Sequence, residues 1–178
     1  MNNKVRIVTI FSLCAIVLTL IFFALPGQFA SLIPDGKVYT GAMGGYQFIF
    51  GGSSEALRLQ TLSTDSSLVS AHGIAFLVLL VLAVVCYVFS KKSTALLLLG
   101  GIILLVAAIL LFCAKTWIDK LYTKYPESSV AGWTAYLSAS LLMLGAICTL
   151  VVSIMELVKE SRQPYQPKKE TYSYLKNK

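Results

Sequence analysis

Few residues in this chain are suited to chemistry, and their positions limit what they can do. His72 is the only histidine, so no H-E-x-x-H motif, two-histidine metal site or histidine relay can be assembled. Asp35, Asp65 and Asp119 are the only aspartates, and all lie in connections between apolar runs. No pair sits inside a run, where intramembrane proteolysis would need it. Gly36-Lys37 is not a phosphate-binding loop, because Ser31 stands where its first glycine belongs and Val38 follows the lysine. Cys14, Cys86, Cys113 and Cys148 fall one to each of four apolar runs, without C-x-x-C pairing. They read as small packing residues rather than disulfides or metal ligands. No nucleophile has a base beside it. The expectation is a protein without enzymatic activity, metal or cofactor.

The elements that would position any site are written in the hydropathy. Hydrophobic residues make up 57% of the 178-residue chain and charged residues 13%, against about 25% charged in a typical soluble domain. Uncharged apolar runs cover residues 7–25, 69–90, 93–114 and 130–155. Each reaches the roughly 20 residues a helix needs to cross hydrocarbon, and helix satisfies the backbone there. The fold class expected is therefore all-α: a four-helix transmembrane bundle over residues 1–160, with a basic, disordered cytoplasmic tail at 161–178. Lys4 and Arg6 before the first run would also suit a secretory signal. Its length and the Pro26-Gly27 that follows favour a retained span.

The formal charge of +7 does not imply nucleic acid, because the basic residues flank the runs. Lys4, Arg6, Lys91, Lys92 and six in the tail fall on one side; Lys37, Arg58, Lys115, Lys120 and Lys124 fall on the other. This bias places both termini in the cytoplasm and the first and third connections outside. Trp117, Tyr122, Tyr125, Trp133 and Tyr136 then form an aromatic belt at the outer interface.

The first outer connection, 26–68, exceeds a mere linker. Residues 37–40, 46–50 and 56–62 read as a small antiparallel β-meander, in which Tyr46, Phe48 and Phe50 share one face. The rival reading has Ser54 capping a short helix to Thr61. In the third connection Trp117, Leu121 and Tyr125 recur at helical spacing until Pro126, so span three is expected to project as a continuous helix. The segment after 155 is expected to be largely disordered, with Lys159 paired to Glu156 near the helix end. Its basic residues either hold anionic lipid or simply enforce topology. His72, at the outer end of span two, is either a pH-sensitive contact to the outer connection or an interfacial histidine bonded to water or backbone.

No span carries an Asp, Glu, Lys or Arg, which argues against an independent pump or coupled transporter. The spans carry small residues at helical spacing instead: Gly100 and Gly101 in the third, and Ala131, Ala135, Ala139, Gly145, Thr149 and Ser153 in the fourth. These permit close helix approach in lipid. The six residues from Ala139 to Gly145 turn the helix about 600°, so the two sets of three point about 120° apart. The outer set and inner set are expected to meet different neighbours, one of them a partner or lipid.

This order of parts resembles the claudin-type tetraspan proteins: inside termini, a long first outer loop with strands, a tight inner turn and a projecting third helix. The likeness is one of layout over residues 1–160. The family's W…G-L-W…C…C pattern has no match, since the first loop holds neither tryptophan nor cysteine. No functional residue carries over. Gly45-Tyr46-Gln47-Phe48-Ile49-Phe50-Gly51 is similar to Gly-bounded segments of uncharacterised small bacterial membrane proteins and implies no activity. The expected function is that of a structural or interaction component, contacting lipid and other membrane proteins or itself through its outer loop and helix faces. An accessory subunit of a transporter or channel is the alternative. An outer loop without cysteines or an N-x-S/T site points to a bacterial plasma membrane.

Overall fold

The structure is a computed structural model that describes residues 3–24, 30–32, 45–46, 71–91, 93–116 and 129–162. Its long elements are α1 (Asn3–Ala24), α2 (Ala71–Phe89), α3 (Thr94–Phe112) and α4 (Trp133–Arg162), with short strands β1 (Ala30–Leu32) and β2 (Ser129–Ala131). All four helices are long and apolar enough to cross a membrane. Even a 19-residue helix rises about 28 Å, close to the hydrocarbon thickness.

These helices are apolar nearly all round, so hydrophobicity does not tell inside from outside. Size and polarity do. α1 turns Ile7, Ile10, Val17, Leu18 and Ile21 outward and buries Ser12, Ala15, Ile16, Thr19 and Phe23. α4 exposes Leu144, Ile147, Val151 and Ile154 while burying Ala135, Ser138, Ala139, Gly145, Ala146, Thr149 and Ser153. Lipid tails solvate large aliphatic chains as well as the core does, so the interior goes to residues that let helices approach and bond. Each of α1 and α3 packs along α4, α2 packs along α3, and α1 meets α2 only sparsely. The order around the bundle is α1, α4, α3, α2. Large side chains along its axis are buried: Phe76, Leu80, Leu104 and Leu142 are 0–2% exposed.

Span boundaries shift at the ends. The turn between α2 and α3 is as tight as expected: Ser93 caps α3, its hydroxyl accepting from Ala95 N at 3.2 Å. Span three is interrupted at Cys113, which forms a C-cap after Phe112, and residues 114–116 are helical again beyond it. The expected helix at 117–125 lies outside the described residues. Span four starts at Trp133, not at 130, since Val130 and Ala131 belong to β2. It also continues to Arg162, so residues 156–162 are helical where disorder was expected. The Lys159–Glu156 pair, at 2.9 Å, lies in that extension. Residues 163–178 lie outside the described part of the chain.

Among the described residues, the short sheet pairs the first connection with the third. β1 and β2 run antiparallel in the register Ala30↔Ala131, Ser31↔Val130, Leu32↔Ser129. Chain leaving a helix at the membrane edge must satisfy its backbone groups, and here each connection supplies the other's partners. Of the meander expected within 37–62, only Gly45 and Tyr46 are described, and they are helical, not extended. Gly45 lies directly on the Phe23 ring; a Cβ at this position would overlap it. The glycine lets the chain settle onto the bundle, a contact that periodicity could not foretell.

Candidate functional site

The arrangement that sets this bundle apart is a cluster of hydroxyls and glycines where α1, α2, α3 and α4 converge. Gly100 and Gly101 are neighbours in sequence and serve different partners. A Cβ on Gly100 would stand 3.2 Å from Cys86 Cβ and from the Tyr87 ring on α2. One on Gly101 would stand 3.0 Å from Leu150 Cδ2 and 3.2 Å from Thr149 Cγ2 on α4. Successive helical residues point about 100° apart, so this pair seats α3 between two helices at once. Gly145 faces a third junction, its Cβ position 3.4 Å from Leu104 on α3 and from Ser12 on α1.

Hydroxyls knit the same level together. Ser12 Oγ lies 2.8 Å from Thr149 Oγ1 and donates to the Gly145 carbonyl at 3.2 Å. Tyr87 donates its phenolic O–H to Thr149 Oγ1 at 3.4 Å, and Ser153 donates to the Thr149 carbonyl at 2.7 Å. All four side chains are buried. A hydroxyl stranded in lipid or in an apolar core costs about 1–3 kcal/mol, so these residues specify which helix faces meet. The cluster joins three helices through Thr149, and its groups are neutral.

Of the expected packing residues, Gly100, Gly101, Ala135, Ala139, Gly145, Thr149 and Ser153 are all buried. Ala131 is not on the helix but in β2, opposite Ala30. The notion that one of α4's two sets faces lipid or a partner is corrected for the members that lie on the helix: Ala135 and Ala139 of the first and Gly145, Thr149 and Ser153 of the second are buried within this chain. Two neighbours account for it, since α1 and α3 flank α4 on adjoining faces and each 120° sector has a helix to meet. Ser12, Tyr87 and Phe23 went unnoticed in the sequence. A signal existed for the first two, as Ser12 and Thr19 share one face two turns apart, and Tyr87 lies inside an apolar run.

At the loop end, Phe23 and Phe76 stack with centroids 5.2 Å apart. Gly45 seats the first connection on this ring, and the adjacent Tyr46 is exposed. Phe48 and Phe50, expected on the same surface, lie outside the described residues. Phe112 and Tyr136 approach at 6.5 Å, and Trp133 is exposed beside them, so two members of the expected aromatic belt stand at one bundle end. His72 lies half-buried in the first turn of α2. The four cysteines are free thiols, and Cys86 packs against Gly100. Among the described residues, no three His, Cys, Asp or Glu side chains are grouped to hold a metal.

At the end bearing the termini, Thr94 donates to Glu160 Oε1 at 2.8 Å, tying the start of α3 to the last turns of α4. Four lipid-length helices around such an interior define a multi-pass helical membrane protein. No family model matches the chain, and no curated protein matches it in sequence.

Proposed function

We propose that the protein is a non-enzymatic tetraspan of the plasma membrane that holds its termini in the cytoplasm and offers its opposite end to other membrane proteins or to a second copy. The build of the loop end carries this reading. There β1 and β2 join the first and third connections, Gly45 anchors the first connection on Phe23, and Tyr46 is left exposed beside that anchor. The excess of Lys and Arg on the terminal side supports the orientation. Tyr46, Phe48 and Phe50 are the residues assigned to the interaction surface, and lipid is the ligand of the aliphatic helix faces.

Orientation is tested by labelling intact cells with a membrane-impermeant thiol reagent. A cysteine at position 66 (Ser66→Cys) reacts and one at 173 (Ser173→Cys) is spared; the reverse pattern inverts the topology. Function is tested by purification in mild detergent and identification of what stays bound. A discrete membrane protein, or a second copy, is retained and is released by Tyr46→Ala. Retention of a transporter or channel subunit assigns the accessory role instead, and a solitary monomer refutes both readings.

A further inference from the structure

Two buried hydroxyls stand outside the network described above. Thr19 Oγ1 on α1 and Ser138 Oγ on α4 are inaccessible and have no hydrogen-bond partner, and both residues are 0% exposed. Each could have used the carbonyl four residues back, as Thr9, Ser140 and Ser153 do at 2.7–2.8 Å. Neither does, so both hydroxyls are turned away from that acceptor. The register of the antiparallel α1–α4 pair places them at one level. Ser12 bonds Gly145 and Thr149 on one side of them, and Ala30 pairs with Ala131 on the other. Between these two ties, position 19 falls opposite 138–142.

We propose that Thr19 and Ser138 form a buried site for one water molecule between α1 and α4, in the half of the bundle nearer the loops. A water suits this place for three reasons. Each hydroxyl can both donate and accept, so one molecule of water satisfies both. The buried residues one turn away along the two helices, Phe23, Ala135 and Leu142, and Ala139 next to Ser138 are uncharged, so an ion would find no counter-charge among them. Small side chains at 135 and 139 leave the helices separated by little bulk, and interior waters characteristically bridge otherwise unpaired polar groups. The stacked Phe23–Phe76 rings, with Gly45 on Phe23, close the site toward the loop end.

The test uses the full-length protein with Thr19→Val and Ser138→Ala, singly and together. Each single variant lowers the melting temperature by about 2–4 °C, because it weakens the site and strands the other hydroxyl. The double variant loses no more than either single, since removing both partners leaves nothing unpaired. Additive losses, or singles that melt like the wild type, overturn the proposal. Water-edited solid-state NMR of the wild type in liposomes distinguishes a bound water from a direct bond between the hydroxyls. Thr19 and Ser138 signals draw magnetisation from water early while Leu142 stays dark; no early transfer at positions 19 and 138 overturns the proposal whatever the melting data show.

Discussion

The two halves of the bundle are held by different means. Toward the termini, Gly101 and Gly145 bring helices close, and Ser12, Tyr87 and Thr149 exchange hydrogen bonds across the gaps. Toward the loops, alanines at 107, 108, 135 and 139 and the Phe23–Phe76 stack set the spacing, and the hydroxyls of Thr19 and Ser138 find no partner among the protein's own groups. Serine and threonine are short. They reach a neighbouring helix only where a glycine removes the intervening bulk, so glycine and hydroxyl act together at one level. The loop half relies on shape and on the chain crossing its end, through β1–β2 and Gly45.

The largest expected effect comes from filling the glycine junction. Gly145→Leu must place its side chain where Leu104 and Ser12 already stand, and such overpacking costs about 1–3 kcal/mol or more. Leu144→Ala alters a residue 52% exposed on the lipid face, where acyl chains replace the lost contact. Thermal melting and oligomer size in detergent compare the two; equal values would show that the junction does not limit packing.

A smaller loss is expected from Thr149→Val, which preserves shape but removes the hydroxyl between Ser12 and Tyr87. Interhelical hydrogen bonds in membranes contribute about 0.6 kcal/mol each on average, so this variant loses about 1 kcal/mol. Ser140→Ala, whose hydroxyl bonds only its own helix at Tyr136, is the control and leaves the melting point unchanged. If both variants melt alike, the contrast between the halves has no energetic basis.

The smallest effect belongs to the exposed tie between Thr94 and Glu160. Solvent-exposed contacts to a carboxylate are worth a few tenths of a kcal/mol, so Thr94→Val shifts melting by about 1 °C or less. A loss as large as that of Thr149→Val would mean that the terminal half is secured from outside the membrane as well as within it.

The four spans were legible in the sequence to within a few residues at most ends, because the cost of putting charge or unpaired backbone into hydrocarbon is paid locally, residue by residue. The small residues of α4 were legible too, since glycine and alanine at four-residue steps mark a face. Three things were decided only by the tertiary structure. Ala135 and Ala139 as well as Gly145, Thr149 and Ser153 turned inward because α1 and α3 lie on adjoining sides of α4. Val130 and Ala131 left the helix because a strand partner at residues 30 and 31 became available from a connection a hundred residues earlier. Ser12 and Tyr87 met Thr149 because three helices converge there. A helix apolar on every side carries no direction of its own, so its neighbours, and not its period, choose which face it buries.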